Sequence, residues 1–372
     1  MNTYKVKIKP VDTFYFGSER KFNPADDSGT NYLVESLTTP QQTTILGMLR
    51  YALLTGQIRQ MGNDLLKNDN LIGLMSFMPE LKKYGIINRI SPVFFDDGKT
   101  LLEEAGLNYQ LYKEKTVPTM FELKKINGNA NSSVPTKDVY YLNKYDHKEY
   151  LNHYLVPRGN TDKLNNLKPY DIILNQCFQP GNKKNRSGMT DDEGFYKQTK
   201  FMMGDNYSFC VFMETTHPVS ESDFYATLGG DQSLFHISIQ NAKSFPSNPE
   251  ADNKEGIVTL ISHAYLTDNV LNSTFFSIIE TVNFRYLRTV LGKTKNYSSI
   301  YTQDERKKEK ELNDKEKKDW WNRENRPKFS QNIRLVSKGS VFYCKDVKGF
   351  VDKINLGAGY QAIGYNYYRI NY

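Results

Sequence analysis

The sequence has few of the residues on which disulfide frameworks, zinc sites and membrane spans depend. Its 372 residues include three cysteines, far apart in the chain, and two tryptophans. No Cys-x-x-Cys pair occurs and no histidine stands near a cysteine at ligand spacing, so neither a zinc site nor a disulfide framework is expected. No stretch approaches the roughly 18 apolar residues of a membrane helix. The N-terminus does not resemble a signal peptide, and we expect a cytoplasmic protein.

Positive charge and aromatic side chains are more plentiful. The net charge is +7, from 49 basic and 42 acidic residues, which favours a polyanionic partner. Aromatic residues make up 13% of the chain and include 26 tyrosines. Tyrosine suits wet surfaces, but it is equally typical of strand-rich cores, so composition leaves both interpretations open.

The pattern of apolar residues predicts an α+β fold. Residues 3–16 alternate as in a strand, residues 18–38 predict a loop, and a helix is predicted from about Thr43, its N-cap, to about Ile58. Because strand, loop and helix open a ferredoxin-like unit, we expect two such units, residues 1–157 and 158–372, separated by turn residues near 156–162. Further strands are predicted in IINRISPVFF, VYYL, FYKQTKFMM, YSFCVFMETT, LFHISIQNA and GIVTLISHAYL.

A charged insertion occupies residues 303–328 in the second half. It contains ten basic and eight acidic residues and almost no apolar ones. The composition predicts a solvated insertion, either a helix or a disordered segment. The alternative is a basic arm that contacts RNA, with Trp320 and Trp321 as stacking or docking residues.

The C-terminal segment NLGAGYQAIGYNYYRINY combines glycines with aromatic residues. Gly357, Gly359 and Gly364 predict a short loop that another backbone can approach closely and whose N–H groups are free to meet phosphates. Neither a Gly-Lys-Ser/Thr sequence nor a βαβ unit follows, which excludes a P-loop and a dinucleotide fingerprint. Three tyrosines are candidates for base stacking, although tyrosines on a strand are as often core residues: Tyr365, Tyr367 and Tyr368.

Four segments, in their order along the chain, resemble the RAMP superfamily of CRISPR proteins, and most of all the third-subunit family of type III-B (Cmr) effector complexes. They are the strand that ends in FYFG, the segment PQQTTILGMLR, the stretch NRSGMTDDEGFYKQTKFMM before YSFCVFME and residues 228–230, and the terminal glycine segment. The equivalent type III-A subunit is the alternative; chain length and residues 228–230 favour type III-B. Many members end the glycine loop with Gly-x-Gly, whereas here Tyr365 and Asn366 follow Gly364.

The resemblance implies two ferredoxin-like modules, with the glycine loop against the first helix. It implies no cofactor and a surface that holds the 5′ repeat-derived tag of a guide RNA. Implied protein partners are a large polymerase-like subunit and a backbone RAMP subunit, with target RNA contacted indirectly. Motif matches and nearby basic residues give the predicted RNA-binding set: Gly17, Arg20, Thr43, Gly47, Arg50, Lys183, Lys184, Arg186, Gly357, Gly359, Gly364, Tyr365 and Arg369. For Arg20, Arg50 and Arg369 the alternative is a solvated or salt-bridged residue.

The sequence favours a binding protein over an enzyme. Metal-independent RNA cleavage needs an acid and a base, commonly histidine, yet none of the five histidines lies in the first predicted strand or helix. A two-metal nuclease or cyclase would need clustered carboxylates. The acidic clusters at 26–27, 96–97 and 191–193 all stand in turn-rich segments, where aspartate is a good turn former. An endoribonuclease that processes guide-RNA precursors and a purely structural scaffold are the two other hypotheses.

Overall fold

The architecture is mixed α/β and rich in strands. The computed structural model describes residues 1–22, 32–73, 76–79, 84–110, 118–126, 139–145, 153–159, 167–184, 190–288 and 328–372. No helix among these residues is long and apolar enough to cross a membrane. The helices are α1 (Gln42–Leu54), α2 (Asn68–Ile72), α3 (Asp268–Leu271), α4 (Val347–Asn355) and α5 (Ala358–Ala362).

The strands are numbered in chain order. Those before residue 170 are β1 (Asn2–Pro10), β2 (Gly17–Phe22), β3 (Tyr32–Ser36), β4 (Ile87–Ile90), β5 (Phe94–Asp96), β6 (Leu101–Glu104), β7 (Tyr109–Gln110), β8 (Thr119–Met120), β9 (Leu123–Ile126), β10 (Val139–Leu142), β11 (Tyr154–Pro157) and β12 (Lys168–Pro169). Those after it are β13 (Leu174–Lys184), β14 (Thr190–Met203), β15 (Ser208–Thr215), β16 (Ser222–Thr227), β17 (Leu234–Asn241), β18 (Gly256–Leu260), β19 (Phe276–Ile278), β20 (Thr281–Phe284), β21 (Leu287–Arg288), β22 (Lys328–Phe329), β23 (Ile333–Val336), β24 (Val341–Cys344) and β25 (Tyr368–Asn371).

The central sheet is built around β1. This strand pairs antiparallel with both β15 and β17 in the order β12-β11-β6-β5-β15-β1-β17-β16, and β4 also pairs with β15. Tyr4, Val6 and Ile8 of β1 are buried and alternate with the partly exposed Lys5 and Lys7. Because successive side chains of a strand point to opposite faces, one face of β1 is apolar and the other is charged. The apolar face packs with α1 in the main core.

Two further four-stranded sheets flank the central one. The first has the order β13-β14-β3-β2, and the second, called the C-terminal sheet below, has the order β19-β24-β18-β25. Helix α4 packs on the C-terminal sheet through Phe350, and the side chain of Asp346 caps it by accepting a hydrogen bond of 3.0 Å from the amide of Gly349. Tyr367 joins Phe94 of the central sheet in a small apolar cluster, which fixes the two sheets against each other.

Alternation predicted eight of the 25 described strands. The segments expected from their apolar period correspond to β1, β4, β5, β10, β14, β15, β17 and β18. The loop predicted for residues 18–38 is wrong in part, because β2 and β3 pair there. Their sequences GSERKF and YLVES lack a clear apolar period, so alternation could not reveal them. Residues 191–193 likewise lie in β14 rather than in a turn, and residues 303–327 of the charged insertion lie outside the described residues.

The first helix differs from its prediction at both ends. It begins at Gln42 and ends at Leu54, and its N-cap is Gln41 in an extended conformation. The prediction of Thr43 as N-cap is therefore wrong, since this residue already lies in the first helical turn. Thr55 and Gly56 end the helix, and the positive φ of 82° at Gly56 explains why the chain cannot continue helically toward Ile58.

The central sheet contains strands from both sides of the domain boundary predicted near residue 157. Strand β11, which ends at Pro157, pairs with β6 and β12, while β1 takes both of its neighbours from the second half of the chain.

We therefore expect a fragment of residues 1–157 to remain unfolded alone, because β1 would expose its unpaired backbone N–H and C=O groups and its apolar face. Circular dichroism and amide exchange of the fragment measure this, and adding residues 158–372 should restore protection. A cooperative thermal transition of the isolated fragment would contradict the expectation.

Candidate nucleic-acid interface at the first helix

The last glycine of the C-terminal segment is fixed against the start of α1. Gly364 has a φ of +85°, in the left-handed region that favours glycine. Its carbonyl oxygen accepts a hydrogen bond of 2.9 Å from Nε2 of Gln42, which also donates to the carbonyl of Ser91 at 2.9 Å. A Cβ atom on Gly364 would lie 1.9 Å from Nε2 of Gln42 and 2.5 Å from the oxygen of Ser91. Both the backbone conformation and the close contact therefore require glycine.

The other two glycines also serve packing. The amide of Gly359 donates to the carbonyl of Pro79 at 2.9 Å, and its own carbonyl accepts a hydrogen bond of 2.9 Å from the hydroxyl of Tyr84. A Cβ atom on Gly357 would lie 2.7 Å from the ring of Tyr360. These contacts place residues 357–364, called the glycine segment below, in and around the short helix α5 rather than in an open loop.

The amides of the glycine segment are occupied within the protein. Those of Gly357, Gly359 and Gly364 donate to the carbonyls of Ile354, Pro79 and Gln361, at 3.4, 2.9 and 3.0 Å. The expectation that these N–H groups are free to meet phosphates is therefore wrong. The segment instead fixes the position of α1 through the hydrogen bond between Gln42 and Gly364.

The three C-terminal tyrosines are core residues. Tyr365, Tyr367 and Tyr368 are at most 4% exposed, so a base cannot stack on them in this conformation. The hydroxyl of Tyr365 donates to Oε1 of Gln41 at 3.2 Å, and burial raises its pKa well above the usual range. The ring of Tyr365 meets that of Phe77 edge-on at 5.2 Å. Tyr365 thus holds the N-terminus of α1 from the interior.

Arg50 points into the protein. Arg50 is 7% exposed, and its guanidinium donates to the hydroxyl of Ser76 at 3.2 Å. Burial lowers its pKa to about 10, an effect that the nearby Tyr84 partly offsets. This position differs from both sequence-based interpretations, which placed Arg50 on the surface.

Arg369 joins the C-terminal sheet to the central sheet. Its Nη1 atom lies 3.2 Å from Oε1 of Glu103 and donates to the carbonyl of Glu104 at 3.1 Å, and Nη2 donates to the carbonyl of Ala105. Arg158 holds the other oxygen of Glu103 at 2.8 Å. The salt-bridged alternative given for Arg369 therefore describes what the structure shows.

An ionic cluster lies beside the contacts of Arg369. Nζ of Lys338 is 3.0 Å from Oε1 of the buried Glu104, which also accepts a hydrogen bond from Tyr170. His153 stands between Glu104, at 3.7 Å, and Glu280, at 3.1 Å. Although burial raises the pKa of Glu104, Lys338, His153 and Tyr170 outweigh it and hold that pKa well below its usual range. Burial lowers the pKa of His153, but the two carboxylates outweigh it and raise the pKa from 6.5 to about 9.

The outward side of α1 is open. Four residues at helical spacing form what we call the α1 stripe: Thr43, Gly47, Tyr51 and Leu54. Nothing lies within 4 Å of the position that a Cβ atom on Gly47 would take, and Gly47, Tyr51 and Leu54 are exposed. A helix with glycine at the middle of its exposed side lets another backbone approach its own closely. Of the predicted set, Thr43 and Gly47 are the members that share this surface.

The remaining predicted residues lie elsewhere or outside the described part of the chain. Gly17 is exposed at the start of β2, where its backbone pairs with Ser36. For Arg20, Lys183 and Lys184 the structure describes the backbone, in β2 and β13, but not the side chains. Arg186 lies outside the described residues. RNA contact at these positions stays a prediction.

Sequence reasoning missed Gln42, the residue that connects the glycine segment to α1. A signal for it exists, because Gln42 stands three and seven residues before Ile45 and Leu49, on the apolar face of the helix. A polar side chain at such a position needs buried partners. Their identity, the carbonyls of Ser91 and Gly364, depends on the tertiary fold.

The chain is strand-rich and α/β, and its C-terminal glycine segment lies against its first helix, as the resemblance to the RAMP superfamily implies. The family model described as CRISPR-associated protein (Cas_Cmr3) matches residues 6–367, and the chain belongs to that family. The resemblance stated from the four segments is thereby confirmed. A search of curated proteins found no match.

Two solved structures share the fold over nearly the whole chain. One is "Cryo-EM structure of the Type III-B Cmr-beta bound to cognate target RNA and AMPPnP, state 1", which matches with a TM-score of 0.50 and 12% identity and covers 97% of this chain and 94% of that one. The other is "Cryo-EM structure of the Type III-B Cmr-beta bound to cognate target RNA", with the same TM-score and identity, 97% of this chain and 95% of that one. At this identity the likeness concerns the fold.

Replacing Gly364 tests whether it fixes α1. We expect Gly364→Ala to lower the free energy of unfolding by at least about 2 kcal/mol, because the left-handed backbone costs about 1–2 kcal/mol and the displaced hydrogen bonds of Gln42 cost about 1–3 kcal/mol. Urea unfolding followed by far-UV circular dichroism measures the change. The matched control is Gly62→Ala, whose added Cβ meets nothing within 4 Å and which should change stability by less than about 0.5 kcal/mol. Equal stability of the two variants would show that the contact at Gly364 is not needed.

The ionic cluster predicts a pH dependence of stability. Because folding raises the pKa of His153 from 6.5 to about 9, its contribution is fully present below pH 6.5 and is lost as the pH rises through 9. The advantage of the wild type over His153→Gln in free energy of unfolding should therefore shrink across that window. Denaturant unfolding at several pH values measures it, and an NMR titration of the His153 ring reports its pKa directly. A constant advantage, or a ring that titrates near pH 6.5, would contradict the assignment.

Proposed function

We propose that the protein is a non-catalytic RNA-binding subunit of a type III-B CRISPR effector complex, where it holds the 5′ repeat-derived tag of the guide RNA. Membership of the Cas_Cmr3 family over residues 6–367 carries this proposal. The fold supports it, since two solved structures of similar fold are type III-B Cmr-beta complexes bound to cognate target RNA. Membership of the Cas_Cmr3 family favours type III-B over the type III-A alternative.

In this proposal the α1 stripe receives the RNA backbone. Gly47 leaves the surface of the helix open, so a ribose-phosphate chain can approach the helix without meeting a side chain. Contacts from Gln42 to Gly364 and from Tyr365 to Gln41 hold α1 in place from within. Basic side chains at positions 20, 183, 184 and 186 would supply phosphate contacts, which give affinity without reading sequence.

Protein partners are part of the same proposal. A subunit that docks a large polymerase-like protein and a backbone subunit needs exposed apolar side chains to bury. Tyr51 and Leu54 on the α1 stripe, and Met61 and Leu65 just beyond the helix, are exposed and apolar. These residues therefore support docking beside the RNA rather than on a separate side of the molecule.

The proposed architecture is two ferredoxin-like modules. The central sheet with α1 and the C-terminal sheet with α4 each place a helix against antiparallel strands, which supports this description. In this architecture the first module includes β15 and β17, which lie after residue 157 in the chain.

Two of the described histidines, His153 and His263, are unsuited to RNA cleavage, which favours binding. His153 is held between two carboxylates in the ionic cluster. Burial and the nearby Lys338 lower the pKa of His263 to about 3, and its Nδ1 accepts the backbone amide of Lys338. Neither has the exposed ring and near-neutral pKa that a general acid or base in RNA cleavage requires.

Gly47→Ala tests the proposed RNA contact. The substitution should stabilise α1 by up to about 1 kcal/mol, because alanine has the higher helix propensity. If the RNA backbone approaches the helix at this point, the added methyl group should lower the affinity for a 5′-tagged guide RNA several-fold. Fluorescence anisotropy with the full-length chain measures this.

Two controls make this test decisive. Gly62→Ala adds the same methyl group at another exposed glycine, and it should leave affinity unchanged. A guide RNA without its tag should bind both glycine variants and the wild type alike. Unchanged affinity of Gly47→Ala for the tagged guide RNA would sink the proposed contact.

A further inference from the structure

The face of the central sheet opposite α1 carries a row of lysines. Lys5, Lys7 and Lys9 stand at alternate positions of β1, so they share one face at a spacing of about 6–7 Å. Their direct partners on β15 and β17 present side chains on the same face, because paired residues of antiparallel strands point the same way. We call this surface the lysine face, and its members are Lys5, Lys7, Lys9, the buried Cys210, Phe212, Asp223, Tyr225, His236, Ser238 and Gln240.

Lys5, Lys7 and Arg89 on this side of the sheet are partly exposed while their carboxylate partners are buried. The partner of His236 differs, since Asp223 lies 3.5 Å from Nε2 of His236 and is 66% exposed. Asp96 is 2% exposed and lies 2.8 Å from Nζ of Lys5 and 3.5 Å from Nζ of Lys7, whose side chains are 28% and 38% exposed. Arg89 repeats the arrangement on β4, since it is 40% exposed and pairs with the 9% exposed Glu214 at 2.9 Å. One carboxylate between two lysines leaves a positive charge unbalanced. Lys5, Lys7 and Arg89 are therefore accessible to solvent and are held in position by buried carboxylates.

An exposed aromatic pair lies beside the lysine row. Tyr225 is 66% exposed, and its ring centroid is 5.2 Å from that of His236, the residue paired with Lys9. Tyr225 is therefore not part of the core, although β16 buries the alternate residues Phe224 and Ala226. A tyrosine in this position offers a base a stacking face next to cations.

We propose that the lysine face binds a single-stranded stretch of RNA, with phosphates along Lys7 and Lys9 and a base on Tyr225. The inference rests on the proposed RNA-binding function and adds a second surface to it. Because α1 packs on the apolar face of β1, the central sheet separates the lysine face from the α1 stripe. Exposed cations over buried carboxylates complement a polyanion, which favours RNA over a protein surface as the occupant.

The test measures binding of a short fluorescein-labelled oligouridine to the full-length chain at several salt concentrations. In Lys7→Gln/Lys9→Gln, loss of two phosphate contacts should lower the slope of log affinity against log salt by about 1.4. This double variant leaves the shorter Lys5–Asp96 ion pair in place, so the fold should persist. Tyr225→Ala should lower affinity about tenfold at every salt concentration, as loss of one stacked base does.

Matched controls lie on other sheets. Lys254→Gln/Lys345→Gln removes two exposed lysines near the C-terminal sheet, and Tyr141→Ala removes an exposed tyrosine of β10. Neither should alter the binding or the salt slope. Thermal melting of every variant establishes that a loss of binding is not a loss of folding.

The outcomes separate this inference from the proposed function. If Gly47→Ala weakens binding of the tagged guide RNA while the lysine-face variants bind as the wild type does, the inference falls and the proposed function stands. If the lysine-face variants bind RNA normally but lose partner subunits on purification, the surface docks protein and the inference is again overturned. Loss of oligouridine binding in the lysine-face variants alone supports it, and crosslinking in complexes with guide RNA alone or with guide and target identifies the strand.

Discussion

The position of the first helix depends on one buried amide, the side chain of Gln42. Its Nε2 atom joins the carbonyls of Ser91 and Gly364, which are 49 and 322 residues away in the chain. Ser91 exchanges two backbone-directed hydrogen bonds with Phe212, so the amide is tied to the central sheet as well. An unsatisfied buried polar group costs about 1–3 kcal/mol. Moving the helix, the sheet or the glycine segment away from the others would break these hydrogen bonds, so the three elements stabilise one arrangement.

Local patterns located several of the elements but not the partners of the glycines. Alternation located β1, β15 and β17, and helical spacing located α1 to within a few residues, because these signals reside in neighbouring side chains. The glycine segment was expected to be an open loop, since the sequence alone does not show that Pro79, Tyr84 and Gln42 meet it. The surplus of tyrosine was equally ambiguous, and several tyrosines proved to be core residues.

The arginines show that the sequence alone also does not reveal which charged side chains are buried in ion pairs. A basic residue near a glycine motif suggests phosphate binding, yet Arg369 is held by Glu103 and by backbone carbonyls, and Arg50 is buried beside Tyr84. Buried ion pairs cost desolvation, and removal of one partner is expected to destabilise by about 3–5 kcal/mol. Net charge is therefore a poor guide to the binding surface of this protein. The binding surface depends instead on which cationic side chains remain exposed and are not held in buried ion pairs.

That criterion gives the two sides of the central sheet different roles. Toward the core, β1 presents Tyr4, Val6 and Ile8 to α1, whose outward stripe is uncharged and open at Gly47. Away from the core, the same strand presents lysines over a buried carboxylate. Since side chains alternate along a strand, the residues that build the core also set the spacing of the cations. A shift of one residue in the register of β1 would remove both at once, so a single pairing register connects the fold to both proposed RNA contacts.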